Sequence, residues 1–273
     1  MSGVCEDSQS YDTKAGDALD EFSVQFRATL DRLTSLRTLS FILISLALTF
    51  MMYLLSFALT DFIASTGYLV HMSVSTILME LIPILITIAA AYVATEKEGL
   101  LELSGVHAIA GRYLGAVAVT SILMIPVYVM IIVVQTLHGA GNQISSLQSF
   151  ALTVVFAAIV TAVAMLLNTR TKHAFLLTFL AVFIIVPLFI YIIGPATDLV
   201  DYDVLCSVIP VPDMIAAVNA SGHGGMTTLS AMSLVKASSG LPLDAFASFI
   251  LFFGWAILLF SVLIFVTERR KAE

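Results

Sequence analysis

The stretch from Tyr113 to Val134, YLGAVAVTSILMIPVYVMIIVV, has 22 residues and no charge. A helix needs roughly 20 mostly apolar residues to cross the hydrocarbon core of a bilayer. The apolar residues form one continuous run rather than alternating with polar ones, which favours a helix over a strand of a membrane barrel. The stretch therefore predicts a transmembrane helix.

Five further apolar runs have a similar length, and the second of them contains a single charged residue, Glu80. Charged residues make up 11% of the 273-residue chain, whereas a soluble domain carries about 25%. We therefore predict an all-α polytopic membrane protein whose transmembrane domain covers residues 39–266. Its six transmembrane helices are predicted at 39–59, 74–94, 113–134, 150–167, 174–193 and 246–266.

Lysine and arginine are distributed unevenly between the connections. Eleven of the 12 lie in the amino-terminal segment, the second-to-third connection, the fourth-to-fifth connection or the carboxyl-terminal tail, and Lys236 is the exception. Because basic residues are retained on the cytoplasmic side, both termini, including the tail 267–273, are predicted to be cytoplasmic. The expected location is the plasma membrane, as a multi-pass protein. Cys5 and Cys206 then lie on opposite sides and cannot pair.

The amino-terminal segment divides into two parts. Residues 1–16 are polar and acidic, which predicts a disordered cytoplasmic tail. In residues 17–38, apolar side chains recur at steps of three and four, which predicts an amphipathic helix lying on the inner membrane surface. A soluble helix packed on another subunit is the alternative. The apolar positions are Leu19, Phe22, Phe26, Leu30, Leu33 and Leu36.

The outer loop 194–245 contains two mildly apolar pieces that are too short to span, VIPVPDMIAAVNAS and MTTLSAMSLV. We expect partial helices there that dip into or cap the outer leaflet, and such helices are tolerated only where protein or water surrounds them. Asn219 begins an Asn-Ala-Ser glycosylation sequon on this side.

A charged segment, 95–112, separates the second and third predicted spans. It contains Glu96, Lys97 and Glu98, followed by the sequence Gly99-Leu100-Leu101-Glu102-Leu103. If a short helix begins at Gly99, Glu98 and Glu102 lie one turn apart on one face. Three leucines just outside a membrane suit a groove on a soluble partner. A loop that merely reverses the chain is the alternative.

This segment resembles a recurring passage in the membrane subunits of type-2 ATP-binding-cassette (ABC) transporters. The resemblance rests on Leu81-Ile82-Pro83 in the second span, the Glu-Lys-Glu cluster, the Gly-Leu-Leu-Glu-Leu element and Gly111 to Gly115 at the third span. The sequence SGVHAIA replaces the small-Pro-Val stretch usual in the family. Six spans, a flat helix before the first and a long outer loop before the last agree with the same family.

The resemblance implies a permease subunit, expected to be an exporter, that hydrolyses no ATP itself. ATP and Mg²⁺ would bind a separate cytoplasmic ATPase subunit, and this chain would bind no cofactor. The permease would pair with a second copy or a paralogue. The implied ATPase-coupling residues are Glu96, Glu98, Gly99, Leu100, Leu101, Glu102, Leu103, His107 and Arg112.

Other features leave alternatives open. Glu80 is an ionisable residue within a span, which suggests a place in the translocation path or a side chain that reaches the interface. Gly111 and Gly115 form a Gly-x-x-x-Gly pair suited to close helix contact. No Gly-x-x-x-x-Gly-Lys-Ser/Thr phosphate loop and no His-Glu-x-x-His motif occur in the chain. An ion-driven carrier or an intramembrane enzyme without an ATPase partner is the alternative function. The sequence does not identify the substrate, and it does not suggest nucleic-acid binding.

Overall fold

The described part of the chain is built from helices. The computed structural model describes residues 5–31, 35, 38–48, 50–51, 74–95, 105–137, 143–185, 208–210, 212–221 and 244–272. Of these residues 93% are helical and none is in a strand, which confirms the predicted all-α class. The helices are α1 (Cys5–Leu30), α2 (Thr38–Leu48), α3 (Val74–Thr95), α4 (Gly105–Leu137), α5 (Gln143–Asn168), α6 (Ala174–Leu180), α7 (Asp213–Ser221) and α8 (Ala245–Ala272).

The described residues of each of the six predicted apolar runs are helical, and residues 49, 52–59 and 186–193 of these runs lie outside the described part. Within the described residues, three helical stretches are long and apolar enough to cross a membrane: Gly105–Val133, Gln143–Asn168 and Ala245–Arg270. The apolar helices at Thr38–Leu48, Ile82–Thr95 and Ala174–Ile185 are shorter. The structure is therefore that of an α-helical membrane protein with three candidate spans.

Several helix boundaries differ from those expected from the sequence. Helix α5 begins at Gln143 rather than at residue 150, and α8 continues to Ala272 rather than ending at residue 266. The amphipathic helix was expected to begin at residue 17, but α1 begins at Cys5. The third span was expected to begin at Tyr113, but α4 begins eight residues earlier, at Gly105. Residues 105–112 of the charged connection are thus the first two turns of α4, whereas Glu96 to Ser104 lie outside the described residues.

Helix α5 lies at the centre of the bundle. It packs against α3, α4, α6, α7 and α8, and 61% of its most apolar stretch is buried, compared with 17% for α8. Its small and medium-sized residues let five neighbours approach. Helix α8 contacts α5 along one side and leaves a long apolar face exposed, as expected for a helix at the lipid boundary.

Contacts between side chains fix the directions of the long helices. The Tyr113 hydroxyl donates to the Ala158 carbonyl at 3.2 Å, and Tyr128 contacts Thr153, so α4 and α5 are antiparallel. The rings of Phe156 and Phe252 lie 6.2 Å apart, and the Arg270 guanidinium donates to the Thr169 carbonyl, so α5 and α8 are parallel. We call the end holding the start of α4 and the ends of α5 and α8 the basal end, and the opposite end the distal end.

A π-helical turn, Ala181–Ile185, continues α6. The next proline in the chain is Pro187, which cannot donate a backbone hydrogen bond and would clash with the carbonyl four residues earlier in a regular α-helix. The π-helical turn therefore ends two residues before a position that a regular α-helix does not accommodate.

Helix α1 packs against the basal part of α4 more extensively than any other pair of described helices packs. Two glycines of α4 permit this approach. A side chain at Gly111 would begin 2.5 Å from the Phe22 carbonyl oxygen, and one at Gly115 would begin 2.8 Å from Cβ of Thr29. The Gly-x-x-x-Gly pair is therefore a close helix contact, as the sequence predicted, and its partner is α1 of the same chain.

We expect Gly111→Ala to lower the stability of the protein. The added methyl group meets backbone rather than a flexible side chain, so α1 must shift away from α4, which should cost about 1–3 kcal/mol. Thermal unfolding of the purified protein in detergent measures the change as a lower apparent Tm.

Gly254→Ala is the matched control, because it makes the same substitution within α8. No atom lies within 4 Å of the added methyl group at that position, and alanine favours a helix over glycine by about 1 kcal/mol. The apparent Tm should stay the same or rise. Equal effects of the two substitutions would contradict the close contact at Gly111.

Candidate functional site

The basal end of α4 begins at Gly105, which has a φ of +84°. Glycine adopts this left-handed conformation without steric cost, whereas a side chain would be strained there. A carboxylate oxygen of Glu21 in α1 lies 3.5 Å from the position that a Gly105 side chain would occupy. Negative charge is favourable at a helix amino terminus, so Glu21 adds an electrostatic contribution to the packing of α1 on α4.

Two predicted coupling residues lie on the first two turns of α4, and their surroundings differ. His107 is exposed. Arg112 is 1% exposed and has an interaction partner, as a buried cation requires. In this conformation His107 is accessible to a soluble partner, whereas the Arg112 side chain is closed off inside the base of the bundle.

The structure does not describe the side chains of the other predicted site residues. Glu96, Glu98, Gly99, Leu100, Leu101, Glu102 and Leu103 lie outside the described residues. Glu80 lies in α3, but its side chain also falls outside the described part. Their coupling and translocation roles therefore stay predictions. Among the residues that are described, no group of three His, Cys, Asp or Glu residues is placed to hold a metal ion.

Most hydroxyl groups within the described helices are satisfied locally. Their Ser and Thr side chains donate to the carbonyl one turn earlier, which removes the cost of an unpaired polar group. Such bonds are made by Thr87, Thr95, Thr120, Ser121, Thr136, Thr178, Ser261 and Thr267. Fewer hydroxyls bond between helices, and these bonds show which helix faces are held together.

The distal end contains such a set, which we call the distal polar cluster: Tyr128, Ser146, Ser149, Thr153 and Asn219. All five side chains are buried. The Tyr128 hydroxyl of α4 lies 2.6 Å from the Thr153 hydroxyl and 3.1 Å from the Ser149 hydroxyl, both in α5. The Ser149 hydroxyl also donates to the Ile215 carbonyl of α7 at 2.8 Å. The cluster thus joins three helices.

Counting protons assigns the donors of this cluster. The Ser149 proton goes to the Ile215 carbonyl, and the Thr153 proton goes to the Ser149 carbonyl at 2.9 Å. The Tyr128 hydroxyl must therefore be the donor toward α5, and the shorter of its two contacts, to Thr153, is the stronger. Every hydroxyl proton in this triad has an acceptor.

The fifth member, Asn219, is completely buried, and its side-chain amide donates to the Ser146 hydroxyl at 3.0 Å. A glycan would be attached to this same amide nitrogen. Because the nitrogen points into the bundle and bonds to α5, a glycan there is incompatible with the folded position of α7. The sequon thus corresponds to a packing residue in this structure.

Sequence reasoning missed the distal polar cluster. The signal was present as Ser146, Ser149 and Thr153, whose spacing of three and four residues places them on one stripe of α5. Nothing in the sequence shows, however, that Tyr128 and Asn219 meet this stripe. That meeting depends on the antiparallel packing of α4 on α5 and on the position of α7.

The short helix expected within VIPVPDMIAAVNAS is confirmed as α7, Asp213–Ser221. It packs against α3 and α5, and Met214, Ile215, Ala216 and Val218 are buried. Protein surrounds this non-spanning helix, as the cost of unsatisfied backbone groups in a membrane demands. The second piece, MTTLSAMSLV, lies outside the described residues.

Comparisons with protein-family models, with curated proteins and with solved structures find no match to this chain.

We expect Thr153→Val to destabilise the protein, because it removes the acceptor of the buried Tyr128 hydroxyl. Single hydrogen bonds between membrane helices contribute about 0.6–1.7 kcal/mol. The apparent Tm in detergent should fall accordingly. In a Tyr128→Phe background, where the hydroxyl is already absent, Thr153→Val should lower the Tm much less.

Thr161→Val provides the matched control on the same helix. Within the part of the chain that the structure describes, the Thr161 hydroxyl is buried without a hydrogen-bond partner. Replacing it with a methyl group removes an unsatisfied polar atom, so the Tm should stay the same or rise. A fall at position 161 as large as that at position 153 would contradict the assigned bonds.

Proposed function

We propose that this chain is the permease subunit of an ABC transporter of the type-2 kind, expected to be an exporter, and that it is driven by a separate cytoplasmic ATPase. The observation that carries the proposal is the acidic, leucine-containing segment 96–104. It joins the end of α3 to the start of α4, so whatever binds it acts on two packed helices of the bundle at once. A simple reversing loop would need neither the leucines nor the acids.

The distribution of charge supports a cytoplasmic location for this segment. Five basic residues of α4, α8 and the α5–α6 connection lie toward the basal end: Arg112, Arg170, Lys172, Arg269 and Arg270. Positive charge is retained on the cytoplasmic side of membranes. We therefore orient the basal end to the cytoplasm, with six spans, both termini inside and the protein in the plasma membrane.

The packing at the basal end supports a mechanical role for α4. This helix contacts α1 through Gly111 and Gly115, and it contacts α5 and α8 through Tyr113, whose ring stacks on Phe260 at 4.6 Å. Close-packed interiors transmit displacement rather than absorb it. A push on segment 96–104 would thus reach three helices through the first turns of α4.

In the proposed cycle, ATP binding closes the ATPase dimer and moves segment 96–104. The permease contributes two packed states of different energy, between which the partner selects. ATP and Mg²⁺ remain on the partner, and a second copy or a paralogue completes the pathway. Exposed His107 belongs to the accessible part of this surface, and buried Arg112 belongs to the part that moves with α4.

The proposed topology predicts that Cys206 and Cys5 lie on opposite sides of the membrane. These are the two cysteines of the chain. A membrane-impermeant maleimide applied to intact cells should label Cys206, whereas Cys5 should be labelled only after permeabilisation. Single variants Cys5→Ser and Cys206→Ser identify each product by mass.

A second probe in the same outer loop is Thr227→Cys in the background Cys5→Ser and Cys206→Ser. It reports the side on which the loop lies even if Cys206 is inaccessible to the reagent. Labelling of positions 5 and 227 from the same side would overturn the topology. Neither labelling experiment requires that the substrate be known.

The proposed partner predicts that Glu98→Lys combined with Glu102→Lys releases the ATPase. Reversing two charges of the segment replaces attraction by repulsion across the proposed contact, which costs several kcal/mol at an interface. Affinity purification in mild detergent should recover an ATPase with the parent chain and at least tenfold less with the variant.

The matched control is Asp20→Lys combined with Glu268→Lys. It makes the same change of net charge at two exposed positions of α1 and α8, and it should leave ATPase recovery unchanged. Equal recovery with the segment variant and the parent would show that segment 96–104 does not hold an ATPase.

A further inference from the structure

We propose that α7 is a reversible stopper at the distal end of the bundle, and that the distal polar cluster is the latch that sets how often it opens. Two bonds of this cluster join α7 to α5. The Ser149 hydroxyl donates to the Ile215 carbonyl at 2.8 Å, and the Asn219 amide donates to the Ser146 hydroxyl at 3.0 Å.

The two bonds are placed to hold the whole of α7. The helix has nine residues, and Ile215 and Asn219 lie one turn apart along it. On α5, Ser146 and Ser149 also lie about one turn apart. Two bonds with matched spacing fix both the position of α7 along α5 and its rotation, which apolar contacts alone do not specify.

Polar contacts control this docking because apolar contacts discriminate weakly within a membrane. Lipid tails solvate Met214, Ile215 and Val218 about as well as protein does, so burying these residues against α3 and α5 provides little net driving force. The hydrogen bonds differ, since hydrocarbon offers no substitute partner. The hydrogen bonds therefore add to the close packing of α7 a contribution that is lost when it leaves.

The same bonds make opening possible when water reaches the distal end. Hydroxyl and amide groups exchange protein partners for water with a small net change in free energy. A distal end joined by serines, a threonine and a tyrosine can thus become wet without leaving orphaned groups. The basal end also encloses buried polar residues, Arg112 and Thr267, but its described hydrophobic cluster is larger than these: Ala91, Ala94, Ala108, Ile109, Tyr113, Ala162, Ala164, Met165 and Leu263.

Cysteine accessibility in the full chain tests this inference. Cys5→Ser and Cys206→Ser remove the native thiols, and Ala216→Cys places a reporter at a completely buried position of α7. The protein is held in lipid nanodiscs, where both faces are open to reagent, and the rate of maleimide labelling is measured. The measurement needs no ATPase and no substrate, so the inference does not rest on the proposed function.

We expect slow labelling of the reporter in the parent background. Ser146→Ala or Asn219→Leu should raise the rate about 3-fold to 20-fold, the effect of losing one hydrogen bond between membrane helices. Because both substitutions remove the bond between Ser146 and Asn219, the double variant should label more slowly than the product of the two single effects predicts. Ser149→Ala should raise the rate independently and multiply the effect.

A second reporter distinguishes opening of α7 from general loosening. Ala164→Cys lies at a completely buried position toward the basal end of α5, and its labelling should remain slow in every latch variant. Thr161→Val, which alters α5 outside the latch, should leave both reporters unchanged.

Three outcomes would overturn the proposal. The parent reporter could label as fast as it does in denaturant, which would mean that α7 is not docked. Ser146→Ala and Asn219→Leu could leave the rate unchanged or multiply each other's effects, which would mean that their bond is not the latch. Both reporters could respond together, which would mean that the variants loosen the bundle as a whole.

Discussion

The absence of hydrogen-bond partners in hydrocarbon is the constraint on which this structure depends. It forces the backbone into helices, and it forces most serine and threonine hydroxyls to bond one turn back along their own helix. Polar groups that remain must find partners on neighbouring helices. The distal polar cluster is where this happens, and it places α7 inside the bundle although α7 is too short to span.

Different kinds of contact join the helices at the two ends of the bundle. At the basal end, Gly111 lets the backbones of α1 and α4 approach each other closely, and stacked aromatic rings join α4 to α8. At the distal end, hydroxyl and amide groups join α4, α5 and α7. The first arrangement is rigid because it depends on shape. The second can exchange with water because it depends on polar partners.

The sequence predicted the parts of the fold that depend on local properties. Apolar length located the helices, since a run such as Tyr113–Val134 has no stable alternative in a membrane. Two glycines spaced by four predicted a close contact, although the sequence did not name α1 as the partner. Burial of the Asn219 side chain could not be predicted from local sequence. Its tripeptide matches a glycosylation sequon, but the side chain points into the bundle and bonds to α5. Faces that meet across the bundle depend on helix order and rotation, which no single segment encodes.

The contact between α1 and α4 also has a consequence for biosynthesis. Phe22 leaves the ribosome 89 residues before Gly111, which corresponds to roughly 4–18 seconds at translation rates of about 5–20 residues per second. During that interval α1 exists without the glycine surface on which it will rest, while two apolar runs are delivered to the membrane. Helix α1 can therefore reach its packed position only after α4 has been made, and until then the bilayer surface can cover its phenylalanines.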